Sequence, residues 1–384
     1  MRSSVKLARI AGIDIGIHYT WLFAFALIAW SLAEGFFPST FTGYGTTTYW
    51  LLGVAGAIGL FGSVLFHELS HSLVARARGM SVSSITLFIF GGVSNLKEEP
   101  KSARDEFLVA IVGPLSSFLL AAVCWPLSQR LSPDTNPVGA LLAYLAFVNL
   151  MLGAFNLVPG FPLDGGRVLR SIVWAVTGRM DRATQIASYS GQAIGFILIF
   201  WGVSRLLGGD FLGGLWTAFI GWFLNNAAES TRQEQTVERT LAGIRVSEVM
   251  DLSPPVVDPG LPVYQFVFAH VLGHGQRVAL VERSGQLLGI VSITDAKHVP
   301  ESAWSTTPVA NIMTRAPLRT VSPTTAVADA LQLLTENEIN QVPVVDESSV
   351  VGMLSRADVL RLLQLRKEVG VESSSVEALR RAAA

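Results

Sequence analysis

Hydrophobic and polar positions divide this chain into two regions. From residue 18 to residue 229 long apolar runs follow one another with few charges between them, whereas residues 245–365 mix apolar and polar positions as a water-soluble domain does. A helix needs roughly 20 apolar residues to cross about 30 Å of hydrocarbon. Runs of that kind lie at 18–37, 49–75, 105–127, 138–157, 186–207 and 211–228. The pattern therefore predicts an α-helical polytopic membrane domain over 1–230 with about six transmembrane helices. Between the second and third runs, MSVSSITLFIFGGVSNL has the alternation and β-branched residues of strands, with a Gly91-Gly92 break. It is too short to span. It is expected as a small membrane-associated β element, because open strand edges do not face lipid.

After Asn225 the chain turns polar, with a linker or short helix over 231–244, and then repeats itself. GIVSITD at 289–295 returns as GMLSRAD at 352–358, and VSEVM at 246–250 returns as VANIM at 309–313, each 63 residues later. Each copy reads as helix, strand, turn, strand, helix. The expectation is a tandem α/β module with copies at 245–300 and 301–365, followed by a tail over 366–384.

Composition sharpens this picture. Half the residues are apolar and only 15% are charged, against about 25% in an ordinary soluble domain, and the mean hydropathy is +0.46. A net charge of -1 and the lack of a basic run interleaved with aromatics argue against nucleic acid. Cys124 is the single cysteine, so no intrachain disulfide forms. The N-terminus has no cleavable apolar stretch and is expected to be retained. With six spans, the loops on the N-terminal side carry twelve Lys and Arg and the opposite loops only Arg130 and Arg205. The positive-inside rule then places both termini and the C-terminal module in the cytosol of a cell with this protein in its plasma (inner) membrane.

The chemistry lies in FGSVLFHELSHSL, residues 61–73. On a helix, positions i and i+4 share a face, so His67 and His71 offer two imidazoles to one metal, with Glu68 beside them to activate water. Ionisable groups in a membrane span usually have a function. A catalytic zinc needs a third protein ligand. The candidates are Cys124, His18 at the start of the first span, and the acids of the apolar half, of which Asp164 in NLVPGFPLDGGR stands in a helix-breaking stretch of Pro159, Pro162, Gly165 and Gly166. Two histidines and one carboxylate also suit iron(II); the HExxH helix favours zinc.

HELSH on a transmembrane helix followed by NLVPGFPLDGG resembles the site-2 protease family of intramembrane zinc metalloproteases, and the FGG turn (90–92) and the GPLSS run (113–117) extend the resemblance over residues 10–230. It implies His67, His71 and Asp164 as zinc ligands, Glu68 as catalytic acid/base, and Asn156 as a polar group near the reacting carbonyl. It also implies single-pass transmembrane proteins as substrates. Such a substrate must unwind, because a helix hides its carbonyls, and the strand-like segment 81–95 offers an edge for β-addition. Undiminished cleavage after replacing Gly91 and Gly92 by proline would remove that idea. The C-terminal repeat resembles a tandem pair of cystathionine β-synthase (CBS) domains, a family that binds adenine nucleotides such as ATP or AMP or serves to dimerise. Its recurring Gly, Ser and Asp place Ser292, Asp295, Ser355 and Asp358 as nucleotide-binding candidates. Both roles stay open at this point, as do a non-proteolytic scaffold and a CBS-regulated transporter. The intact Glu68 argues against the scaffold, and the lack of internal repeats in the membrane half argues against the transporter.

Overall fold

The structure, a computed structural model, describes residues 4–369 apart from 90, 97–99, 285 and 348. Phe90 of the FGG turn and the tail from residue 370 onward lie outside the described residues. The chain falls into two compact units that divide between Gln233 and Glu234.

The first unit opens with a hairpin of β1 (Ser4–Ile10) and β2 (Ile13–His18), turned by Ala11 and Gly12 at φ of 48° and 78°. Both turn residues need the left-handed region, as a tight two-residue hairpin demands. Helix α1 (Thr20–Ser31) continues through a π-helical turn, Leu32–Phe36, into α2 (Phe37–Thr40). Helix α3 (Thr46–Ala77) leads to β3 (Val82–Phe88) and β4 (Gly91–Leu96). The four strands form one sheet in the order β1-β2-β3-β4, with β2 and β3 parallel and the other pairs antiparallel. Ile13 and Ile15 of β2 and Ile85 of β3 are fully buried within it. This is the β element expected from 81–95, enlarged by an N-terminal hairpin that periodicity did not single out.

Four further helices follow: α4 (Ala103–Arg130), α5 (Pro137–Asn156), α6 (Asp164–Thr177) and α7 (Met180–Leu207). Side-chain caps start α4, where Ser102 accepts from the Asp105 amide, and α5, where Asn136 accepts from Val138 ahead of Pro137. Gly178, at φ 68°, ends α6 in the left-handed conformation that glycine adopts without strain. A last helix, α8 (Phe211–Leu241), carries the sixth expected span in its first half and runs on through most of the expected linker. Among the described residues, five helical segments, Thr20–Thr40, α3, α4, α5 and α7, are long and apolar enough to cross a membrane. The apolar start of α8 is interrupted by Asn225 and Asn226 and stands outside those five.

These helices turn large apolar side chains outward: Leu22, Phe23, Leu119 and Phe200 are all at least 60% exposed. Apolar surface on that scale suits a hydrocarbon solvent. Between helices the contacts are made by small residues. Gly53 lies against Ala29 and Ala33, Gly195 against Gly221, and Gly202 against Ala218, so the backbones approach closely.

The second unit contains both repeat copies. In the first, β5 (Val256–Val257), α9 (Val263–Gln265) with a π-helical continuation Phe266–Leu272, β6 (Val278–Arg283), β7 (Gln286–Ser292) and α10 (Ile293–Lys297) precede β8 (Thr314–Arg315), giving a sheet in the order β5-β6-β7-β8. In the second, α11 (Val327–Glu336) precedes the hairpin of β9 (Gln341–Asp346) and β10 (Ser349–Ser355) and then α12 (Arg356–Val369). The opening segments are exchanged between copies. Val246 of VSEVM packs in the core of the second copy with Leu334, Val344 and Leu354, and Val309 of VANIM packs in that of the first with Phe266, Val281 and Val291. Backbone pairing of Asp251 with Met353 and of Val309 with Leu261 seals the exchange.

Candidate metal centre

Helix α3 presents His67 and His71 one turn apart on its buried face, 4% and 5% exposed. Helix α4 backs them with a face whose residues recur at helical spacing: Glu106, Val109, Ala110, Gly113 and Ser117 are all buried. His71 Nδ1 lies 2.6 Å from the Val109 carbonyl oxygen, and His67 Nδ1 lies 3.0 Å from Ser117 Oγ. A carbonyl only accepts, so His71 Nδ1 carries the proton and Nε2 of the neutral ring presents a lone pair.

Both Nε2 atoms point at one oxygen, Asp164 Oδ2, at 3.0 Å from His67 and 3.1 Å from His71. Asp164 is the first residue of α6, where a carboxylate is favoured by the helix dipole. The next two positions must be glycine: a Cβ at Gly165 would overlap the Leu157 and Val158 carbonyls, and one at Gly166 the Gly160 backbone. The Asp-Gly-Gly sequence therefore starts a helix tight against the preceding loop. Burial alone would push the Asp164 carboxyl pKa up, whereas protonated His67 and His71 rings donating to it would hold it below the usual carboxylate range. One turn on, burial lowers the Arg167 pKa while the Glu106 and Asp164 carboxylates oppose it.

The donor set fits a metal. A lone pair on His71 Nε2 facing a carboxylate oxygen is repulsive unless a cation or a shared proton lies between them. The outer hydrogen bonds on Nδ1 are those that orient imidazole ligands. Among the described residues these three are the one group of His, Cys, Asp and Glu whose ligand atoms converge, within 4.8 Å of one another.

Glu68 lies beside this group, with its carboxylate fixed by the sheet. Ser94 Oγ of β4 donates to Glu68 Oε2 at 2.7 Å, and Ser72 Oγ donates to Ser94 Oγ at 3.2 Å. A Cβ at Gly92 would come within 2.6 Å of Glu68 Cγ, so β4 passes the side chain at glycine distance. Gly113 does the same for the histidines: a Cβ there would overlap His71 Nε2 and lie 2.7 Å from His67 Nε2. Sequence reasoning did not assign Ser94, Val109, Gly113 or Ser117 a role. Gly113 and Ser117 stood in the GPLSS run, and the spacing of the buried α4 face was the signal available for them.

The other candidates lie elsewhere. Asn156 ends α5 and donates its amide to the Leu152 carbonyl at 2.9 Å. His18 Nδ1 pairs with Thr20 Oγ1 at 2.9 Å, and Cys124 is a half-buried thiol in α4. Neither joins the three convergent side chains. Ser292 and Asp295 form a capping box at α10, with Oγ to Oδ2 2.7 Å, and Ser355 bonds Asp358 Oδ2 in the same way at 2.5 Å. Their S-x-x-D spacing is itself a helix-start signature.

A family model for peptidase family M50 matches residues 55–133 and 129–198, and one for the CBS domain matches 246–301 and 309–365. The Rip3 protein of Mycobacterium tuberculosis is 37% identical over 373 residues, covering 95% of this chain and 94% of its own length. The zinc metalloprotease MJ0392 of Methanocaldococcus jannaschii is 30% identical over 374 residues, covering 96% and 99%. The solved site-2 protease of Methanocaldococcus jannaschii is 31% identical with a TM-score of 0.41, covering 60% of this chain and 95% of its own.

Proposed function

Because this chain belongs to peptidase family M50, as a zinc metalloprotease of the site-2 type with a tandem CBS pair, we propose that it cleaves membrane-anchored proteins within their transmembrane segments, at the centre formed by His67, His71, Asp164 and Glu68. The observation that carries this reading is the meeting of two imidazole Nε2 atoms on one carboxylate oxygen inside a set of apolar helices. A zinc held by His67, His71 and Asp164 would supply Lewis acidity toward a water and a carbonyl. The protein supplies the rest. Val109 and Ser117 lock the ring orientations, and Glu68, steadied by Ser94, takes the proton of the attacking water and returns it to the leaving amine. The Asn156 amide, released from Leu152, donates to the developing oxyanion.

With the apolar first half of α8 as a sixth crossing, the excess of basic residues in the loops on the N-terminal side supports a cytosolic placement of both termini, the CBS pair and the cut. The substrates are then single-pass proteins entering from the bilayer. Metal content of the purified full chain tests the centre. About one zinc per chain is expected in the wild type, with loss in both His67→Ala and Asp164→Ala. Zinc missing from a folded wild type, or retained in Asp164→Ala, would overturn the reading.

The CBS pair is proposed to regulate the protease by binding ATP or AMP through Ser292, Asp295, Ser355 and Asp358, and to support a homodimer. Equilibrium dialysis should show ATP or AMP bound by the wild type and weakened in Asp295→Asn and Asp358→Asn. Dialysis with no bound nucleotide would leave dimerisation as the role of the pair.

A further inference from the structure

Arg170 lies two turns into α6 and is only 5% exposed, and Glu106 in the first turn of α4 is fully buried. Arg170 Nε donates to Glu106 Oε1 at 2.5 Å, and Nη2 reaches the same oxygen. The guanidinium also stands over the Phe161 ring, 5.3 Å from its centroid. Three pieces of the metal centre meet on this one cation. Glu106 belongs to the α4 face that supplies the Val109 and Ser117 partners of the histidines. Phe161 belongs to the loop that leads into Asp164. Arg170 itself is on the helix that Asp164 begins.

The start of α6 needs such an anchor. Its N-cap residue, Leu163, makes no side-chain cap hydrogen bond, and the loop before it contains two prolines and a glycine with little regular structure. Two imidazoles on one continuous helix are placed by that helix, but a carboxylate on a separate short helix is placed by whatever holds that helix. A buried ion pair is a costly fastening, because both charges leave water and removing either partner strands the other. Ligand geometry tolerates displacements of only about 0.5 Å, so whatever fastens this helix bears directly on the site.

We propose that Glu106 and Arg170 are positioning residues that clamp α6 to α4 and so hold Asp164 opposite His67 and His71, a role that rests on the zinc reading above. The clamp predicts that metal affinity depends on a pair that contributes no ligand. In the purified full chain, zinc dissociation constants would be measured by competition with a chromophoric chelator, well below the unfolding temperature. Wild type, Arg170→Met, Glu106→Gln, the double variant and Arg170→Lys would be compared, with Asp164→Ala as the benchmark for ligand loss.

Each single neutralisation is expected to weaken zinc binding about 10- to 100-fold, the range found for outer-shell partners of metal ligands. The double variant should lose no more than the worse single one, because the two act as a unit. Arg170→Lys should recover part of the loss by restoring the charge without the fork. If Arg170→Met does not fold, Arg170→Lys and Glu106→Asp carry the same comparison with a loss of about tenfold. Folded single variants that hold zinc with wild-type affinity would overturn the clamp and leave the pair a packing feature. Zinc missing from the wild type would instead overturn the metal reading, and the clamp with it.

Discussion

Glu68→Gln is expected to lower cleavage of a transmembrane reporter by about 10²- to 10⁴-fold, the usual contribution of a positioned general acid/base. Zinc should stay at one per chain. The substitution keeps the shape of the side chain, and the amide oxygen can still accept from Ser94, so the approach of β4 through Gly92 is undisturbed. What is lost is the ability to carry a proton from water to the leaving amine. Turnover in proteoliposomes, measured beside zinc content on the same preparation, separates the two effects. Wild-type turnover in Glu68→Gln would assign the proton transfer to another group, and a drop in zinc would mean that Glu68 helps to hold the ligands.

Gly113→Ala is expected to abolish zinc binding while leaving His67, His71 and Asp164 in place. The added methyl would press on His71 Nε2 and come within 2.7 Å of His67 Nε2, where no real Cβ sits. Neither ring can retreat, since His71 Nδ1 is tied to Val109 and His67 Nδ1 to Ser117. Alanine is the better helix former by about 1 kcal/mol, so α4 should not be weakened in itself, and zinc loss without unfolding would trace to the collision. Gly62→Ala is the control. It lies on α3 five residues before His67 with nothing within 4 Å of its Cβ, and zinc should be unaffected. Full zinc occupancy in Gly113→Ala would show that the ring nitrogens do not meet over Gly113.

Both predictions depend on residues of very different visibility in the chain. His67, Glu68 and His71 are legible because a helix converts a four-residue spacing into a shared face with no help from the rest of the fold. Asp164 is legible only as a carboxylate in a broken stretch. Its pairing with histidines 97 and 93 residues away is a result of packing. Ser94 is one serine among several in a strand-like segment, and nothing local distinguishes it from Ser81, Ser83 or Ser84. Arg170 looks like a loop cation that marks topology, yet it is buried on Glu106. The polar stretch after Asn225 looks like a linker, but α8 passes through it because its residues are good helix formers.

Residue pattern alone separates the parts of the protein suited to lipid from those suited to water, and with them the long helices, the repeat, and two of the three side chains that converge at the candidate centre. The repeat is visible because its copies share residues 63 positions apart; the others depend on composition or on a spacing shorter than two helical turns, so the local physics of solvent and helix is enough. Packing of distant elements sets the place of Asp164 beside the histidines, the strand that steadies Glu68, the glycine beneath the histidines, and the exchange of opening segments between the CBS copies. In those cases the partners are far apart in the chain, and only close packing of separate elements determines which of many similar residues meet.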